Sequence, residues 1–338
     1  MYGLIRAWLF RLDPHRAQAL ALAALRLRNT LVRERGAGTP VELLGLRFPN
    51  RVGLAAGFDK SARDVDALGQ LGFGFIEVGT VTPRPQAGNP PPNLFRLISD
   101  QALINRLGFN NEGAEAAARR LEARRYQGVC GVNIGKNFDT AVKESIRDYA
   151  SCLRTVYPAA DYVTINVSSP NTPGLRGLQD PLALRPLLQE LADLREQLQG
   201  VHGKRVPLLV KLSPDLSDAQ LTNLAGELAG LPIDGVVATN TTVARPALKS
   251  AAAVESGGLS GRPLHPRSLA VLRILRARLR PDFPLIGVGG IMAAHDGVET
   301  RRAGADLLQL YTGLIYRGPA LVGELVAALE ALSPEGAA

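Results

Sequence analysis

One pattern, recurring eight times, constrains this chain more than any other feature: a short apolar run, a polar or glycine-rich tip, then a stretch with helical periodicity. The runs are "VGLAAGFDK" (52–60), "FGFIEVGTVT" (73–82), "GVCGVNIGKN" (128–137) and "YVTINVSSPN" (162–171), followed by "PLLVKLSPD" (207–215), "DGVVATNTT" (234–242), "PLIGVGGI" (284–291) and "DLLQLYTGLI" (306–315). Strands buried on both faces lack clean alternation, as these do, and the intervening "PLALRPLLQELADLREQLQ" repeats at helical spacing. Eight such units predict an α/β chain folded as a (β/α)8 TIM barrel, with a doubly wound parallel sheet as the alternative. In a barrel the residues just past each strand converge on one face. Lys60, Thr80, Asn133, Asn166, Lys211, Asn240, Gly290 and Tyr311 then become neighbours.

Composition narrows the chemistry. At 338 residues, 46% hydrophobic and 21% charged, the chain can bury a large core. Cys130 and Cys152 are too few for a disulfide framework and form no CxxC pair, which points to a reducing compartment. His15, His202, His265 and His295 are scattered, so no metal motif of the HExxH type exists and a metal mechanism is not expected. Cys130 reads as core filler, Cys152 as structural, and His265 in "GRPLHPRS" as a surface or capping residue.

The basic charge is concentrated at one end. Residues 1–35 carry seven arginines against Asp13 and Glu34, which is +5 of the formal +8. These arginines alternate with Leu, Ile, Trp and Ala rather than with stacking aromatics, so a membrane surface fits better than nucleic acid. Leu4, Ile5, Trp8, Leu9 and Leu12 share one helical face, Asp13 and Pro14 read as N-cap and first helical residue, and a second helix is expected over roughly 15–33. Its longest charge-free run, Ala17 to Leu25, falls far short of the ~20 residues that span a bilayer. Arg6 and Arg11 interrupt the apolar stretch and no cleavage site follows, which excludes a signal peptide. Residues 1–38 are therefore expected to form an amphipathic hairpin lying in the membrane interface, with a helical pair packed on the core as the alternative. The barrel is assigned residues 39–338.

Within the barrel, familiar nucleotide motifs are absent. No GxGxxG opens a βαβ unit, and "CGVNIGKN" resembles a P-loop only loosely, with Asn after the lysine. "GVGGI" and "YTG" follow the seventh and eighth strands, where bare glycines and a short helix commonly bind phosphate. Asn105, Asn166, Asn171 and Asn240 supply paired donors and acceptors suited to a planar ring with amide and imide groups. Lys60 and Lys211 add positive charge. With no acid–base pair among the tips apart from Asp59, redox chemistry on a bound cofactor is the natural reading. A Schiff-base lysine at Lys211 in an aldolase-like barrel, and a membrane-binding module without turnover, are the competing ones.

The segments "AAGFDK", "EVGTVTPRPQ", "LFRL", "INRLGFNN", "VNIGKN", "INVSSPNTPGLR", "ATNTT", "GGLSGRPL", "GVGGI" and "QLYTGLI", in this order, resemble the quinone-dependent, membrane-associated dihydroorotate dehydrogenases. The basic N-terminal hairpin resembles the extension that separates this class from its soluble relatives. The resemblance implies one FMN per chain and oxidation of dihydroorotate to orotate, with membrane quinone as second substrate, in pyrimidine biosynthesis. It further implies a peripheral monomer on the cytoplasmic face of the bacterial inner membrane and no nucleic-acid partner; a bacterial source also suits the lack of a targeting presequence. Carried over by position, Ala56, Gly57, Lys60, Thr80, Asn133, Asn166, Lys211 and Thr239 would contact flavin. Gly261, Gly290, Tyr311 and Thr312 would complete the site, Thr312 standing where relatives often have Ser. Lys60, the loop Asn105, Arg106, Leu107, Gly108 and Phe109, then Asn166, Asn171, Asn240 and Thr241, would hold the substrate.

Oxidation of the C5–C6 bond requires a base for the C5 proton, and "NVSSPNTPG" (166–174) offers Ser168 and Ser169. Strand parity from Asn166 favours Ser168, but Pro170 biases its predecessor toward a turn. The resemblance selects Ser169, because soluble relatives carry Cys there. Serine is a poor base, so a relay through water, with Thr172 as a candidate member, is expected. Gly174 and Gly177 would let the following loop act as a lid.

Overall fold

The computed structural model describes residues 2–29 and 38–332. Eight parallel strands close into a barrel: β1 (Val52–Leu54), β2 (Phe75–Val81), β3 (Val129–Ile134), β4 (Tyr162–Asn166), β5 (Leu208–Leu212), β6 (Gly235–Ala238), β7 (Leu285–Val288) and β8 (Leu307–Leu310). Each coincides with one predicted run. The ring closes where β8 meets β1, with Leu308 opposite Val52, and it continues through β6, where Val236 pairs with both Val210 and Leu285.

The N-terminal helices are α1 (Tyr2–Leu9) and α2 (Pro14–Asn29). Barrel helices follow the strands: α3 (Val65–Gly69), α4 (Ala114–Glu122), α5 (Ser145–Val156), α6 (Pro181–His202), α7 (Asp218–Leu228), α8 (His265–Arg278) and α9 (Ala294–Arg302), then α10 (Thr312–Arg317) and α11 (Ala320–Glu330) after β8. Local signals explain the ends of the longest one. The Asp180 carboxylate accepts the Leu182 N–H, Pro181 occupies the first turn, and Gly203 closes the helix at φ 67°.

Why the runs fail to alternate is visible in the two cores. Outward residues such as Ile76, Val132, Ile165 and Val210 pack under the helices, while Phe75, Tyr162, Leu209, Val237, Ile286 and Leu307 fill the barrel's lower interior. Gly53 and Gly131 make room for the interior rings: a Cβ would lie 2.4 Å from the Phe75 ring and 2.1 Å from that of Tyr162. A hairpin, Val41–Leu43 with Leu46–Phe48, brings Phe48 edge-on to Phe75 at 5.4 Å and closes the lower end. Two residues further up four of the strands the interior turns polar, with Glu77, Thr164, Lys211 and Gln309.

A second small sheet was not anticipated. Leu94–Leu97 and Ala102–Asn105, both between β2 and α4, pair antiparallel, and Gly258–Gly261, between β6 and α8, joins Ala102–Asn105. It brings Asn105 beside Gly258.

The hairpin at the start of the chain packs on the barrel with part of its apolar surface left exposed. Asp13 Oδ1 caps α2 by accepting the His15 and Arg16 N–H groups, as predicted. Ala17 and Leu22 are buried, Arg96 donates to the Phe10 and Leu12 carbonyls, Arg6 to that of Tyr316, and Arg26 pairs with Asp64. Yet Leu4 is 82% exposed, Leu27 69% and Trp8 55%. One side docks on the barrel and the other presents apolar side chains outward. The expected reach of α2 to residue 33 falls on residues 30–37, outside those described. No described helix is long and apolar enough to cross a membrane.

Candidate active site

A cavity of about 990 Å3 opens at the C-terminal ends of the strands. The β1 turn supplies Ala56, Gly57 and Lys60; β2 supplies Thr80, β4 Asn166, β5 Lys211 and β8 Gln309. Beyond the strand ends come Ser169 and Asn171, Thr239 to Thr241, Gly289 and Gly290, and Tyr311 to Gly313. The small sheet and its loop add Asn105, Leu107, Gly108, Phe109 and Gly261. Two predicted residues do not line it. Asn133 sits behind Thr80 and Asn166, accepting from both at 2.6 and 3.1 Å. Arg106 turns its guanidinium away to Glu255 at 2.7 Å and over the Phe95 ring, while its N–H and C=O bond Asn93 and Asn89.

The floor is electrostatic. Glu77 is fully buried inside the barrel and accepts from Asn133 Nδ2 (2.8 Å), Gln309 Nε2 (2.8 Å), Tyr162 Oη (3.1 Å) and Thr164 Oγ1 (3.2 Å). Burial lowers the Lys211 pKa and the Glu77 charge opposes that fall, so the ammonium in the cavity wall has a buried counter-charge. Because Glu77 takes the Gln309 N–H, the Gln309 Oε1 is turned elsewhere and has no partner among the described residues. A buried acceptor of that kind is costly unless a bound group donates to it. Sequence reasoning passed over both residues, since each sits inside a strand run rather than at its tip.

Above the floor, Asn166 donates to Thr80 Oγ1 at 3.0 Å, Asn240 to Ser168 Oγ at 3.0 Å, and Asn171 to Asn105 Oδ1 at 3.1 Å. Ser168 is thus taken up between Asn166 and Asn240. Ser169 lines the cavity, its Oγ accepting the Asn171 N–H at 3.2 Å. Parity misleads here because β4 ends at Asn166 and alternation ends with it. Thr172 is buried but lies outside the lining. The loop carrying Gly174 is strapped down by Arg176, which donates to the Ser168 and Thr241 carbonyls and pairs with Asp215 at 2.6 Å.

Asp59 does not act on the cavity. Its carboxylate accepts the Ser61, Arg63 and Asp64 N–H groups and so shapes the turn that presents Lys60. Lys136 of the P-loop lookalike points to the Asn137 and Thr140 carbonyls.

At the opposite end Gly290 (φ 75°) and Gly261 (φ 94°) adopt backbone that favours glycine, and Thr312 and Gly313 open α10. The first-turn N–H groups of a helix have no partner within it, and here the first-turn residues Thr312 and Gly313 line the cavity beside Gly261, Gly289 and Gly290. Such an end suits a phosphate. The donor set, the unpartnered Gln309 oxygen and the paired Lys211 fit a flavin mononucleotide.

A second cavity, of about 1510 Å3, lies between the N-terminal helices and the barrel. Trp8, Leu9, Leu20, Ala21, Leu68, Leu71 and Leu314 are among its walls, and it is nearly all apolar. Tyr311 lines both cavities, with its ring edge-on to Phe58 at 5.4 Å.

A family model described as dihydroorotate dehydrogenase matches residues 39–332. Proteins called dihydroorotate dehydrogenase (quinone) from Stenotrophomonas maltophilia (strain K279a) and Xanthomonas campestris pv. campestris (strain B100) are 53% and 52% identical to this chain. The first alignment covers 97% of this chain and 96% of the relative, the second 100% and 99%. A crystal structure of DHODH from Eimeria tenella in complex with ferulenol is similar at TM-score 0.87 and 38% identity, over 94% of this chain and 90% of that one.

Proposed function

The chain belongs to the dihydroorotate dehydrogenase family, and from that premise we propose how its two cavities divide the work. It oxidises dihydroorotate to orotate in pyrimidine biosynthesis and uses a quinone as electron acceptor. The observation that carries the reading is the shared wall: one polar cavity at the barrel mouth and one apolar cavity under the hairpin meet at Tyr311.

The larger part of the mouth cavity holds FMN, one per chain. Gly261, Gly290 and Thr312 receive the phosphate, while Ala56, Gly57, Lys60, Thr80, Asn166, Lys211, Thr239 and Tyr311 surround the ring, with Asn133 fixing Thr80 and Asn166 from behind. FMN, when bound, would supply the hydride acceptor for C6 and the link by which the electrons reach the quinone. Lys211, backed by Glu77, balances negative charge in the pocket. Asn105, Asn171, Asn240 and Thr241 orient the pyrimidine through its carbonyls and N–H groups, aided by the loop of Leu107, Gly108 and Phe109. Ser169 takes the C5 proton as the C5=C6 bond forms, passing its own hydroxyl proton on to water.

Lys60 pairs with the substrate carboxylate, and its ionisation gives a pH test. Burial draws this ammonium down to about 8, with Asp59 opposing. The charged form binds the anion, so KM for dihydroorotate is flat below pH 8 and climbs above it, approaching about tenfold per pH unit as the protonated fraction falls. Steady-state KM between pH 6 and 9.5 checks this. Lys60→Met raises KM and removes the slope; a wild-type KM that stays level to pH 9.5 contradicts the pairing.

The quinone enters the apolar cavity from the membrane. Exposed Leu4, Trp8, Leu20 and Leu27, together with the basic charge of this segment, support peripheral attachment to a lipid surface, where the chain works as a monomer on the cytoplasmic face of the bacterial inner membrane. Denaturing the purified chain and identifying the released chromophore tests the cofactor. One equivalent of FMN is expected; FAD, or no flavin, would overturn the assignment.

A further inference from the structure

Outside both cavities, His265 at the start of α8 meets two carboxylates from α9. Its Nδ1 lies 3.2 Å from the Gly289 carbonyl, and its Nε2 lies 3.2 Å from Glu299 Oε2 and 3.9 Å from Asp296 Oδ1. A carbonyl oxygen only accepts, so Nδ1 must carry hydrogen. In a neutral ring Nε2 then presents a lone pair towards two carboxylate oxygens, an arrangement that a cation between them relieves. A histidine that donates one ring N–H to a backbone carbonyl while aiming its other nitrogen at carboxylates has the habit of a metal ligand.

The spacing agrees. The three donor atoms lie within 4.8 Å of one another. Ligands about 2.1 Å from a tetrahedral centre stand about 3.4 Å apart, between the two distances observed from Nε2. Asp296 is already oriented, since its other oxygen accepts the Met292 and Ala293 N–H groups at 2.7 and 2.9 Å, leaving Oδ1 directed at the cluster. His295 Nε2, 2.8 Å from that same Oδ1, lies outside the three-donor cluster and steadies the carboxylate from the exposed side. His265 and Asp296 are buried, whereas the Glu299 side chain is 52% exposed and can swing onto an ion.

We propose that His265, Asp296 and Glu299 bind one transition-metal dication of the zinc type. Nitrogen and carboxylate donors in this number favour such an ion over calcium or magnesium, which prefer all-oxygen shells. The ion ties α8 to α9 directly behind the Gly289–Gly290 loop of the main cavity, where a Cβ on Gly290 would stand 2.6 Å from that of His265. Its role is to brace that loop.

The test is calorimetric titration of Zn2+ into the untagged, chelator-treated full-length holoenzyme, with thermal unfolding alongside. One equivalent binds, and Tm rises with the metal. Glu299→Gln, at an exposed position that leaves the fold intact, weakens binding by more than about tenfold, while His265→Gln abolishes it. Absence of saturable binding, which would leave a proton alone to hold the imidazole between the carboxylates, overturns the proposal. Binding undiminished in both Glu299→Gln and His265→Gln overturns it too, because the ion would then sit elsewhere.

Discussion

Ser169→Ala slows bleaching of the bound flavin by dihydroorotate by about 10²- to 10⁴-fold, the usual contribution of a positioned acid–base group, while FMN content and orotate affinity stay near wild type. The reason lies in the division of labour between adjacent serines. Ser168 Oγ is engaged by Asn240 Nδ2 at 3.0 Å and Asn166 Oδ1 at 3.3 Å, so it fixes one amide assigned to the substrate and one assigned to the ring. Ser169 uses one lone pair for the Asn171 N–H and otherwise faces the cavity. Ser169→Cys retains more rate than the alanine, because a thiol with a pKa near ~8.5 is the better proton acceptor at neutral pH. Ser168→Ala removes an acceptor from Asn240 and raises KM rather than abolishing reduction. Stopped-flow reduction of the three variants separates these effects, and a loss in Ser168→Ala as deep as in Ser169→Ala would reverse the assignment.

Deleting residues 1–35 has the opposite profile: reduction by dihydroorotate changes little, and reoxidation by quinone collapses. The hairpin forms one wall of the apolar cavity through Trp8, Leu9, Leu20 and Ala21. A quinone that loses about 100 Å² of apolar contact forfeits about 2.5 kcal/mol, close to two orders of magnitude in kcat/KM. The mouth cavity should survive the deletion. Although Arg26 of α2 pairs with Asp64, the turn carrying Lys60 is held from within by the Asp59 carboxylate. Should the truncated chain aggregate, Ala21→Trp fills the same cavity in an intact protein and must show the same split. Equal loss of both half-reactions would make the hairpin a structural element of the barrel.

The barrel was legible because burial on both faces imposes continuous apolar runs, and each of the eight proved to be a strand. The tips were legible for the same reason: a polar or glycine residue closing such a run has few places to be except the mouth. Other features escaped. The small sheet rests on four-residue strands joined across about 150 positions, too short for period and too distant for adjacency. Glu77 and Gln309 were hidden within runs that looked uniformly structural, because interior polarity depends on height in the barrel, which sequence does not display. Arg106 was carried along with its loop, yet its guanidinium leaves the cavity for Glu255. His265 read as a surface or capping residue, but it is buried beneath Gly290, and its carboxylate partners lie some thirty residues along the chain.

The central claim, that one chain oxidises dihydroorotate in the barrel mouth and discharges the electrons through the apolar cavity, is tested most directly by following flavin absorbance through both half-reactions. Under anaerobic conditions the yellow protein should bleach on adding dihydroorotate and recover its colour when a quinone is supplied. Flavin that stays oxidised in dihydroorotate, or bleaches and is not restored by quinone, would contradict it.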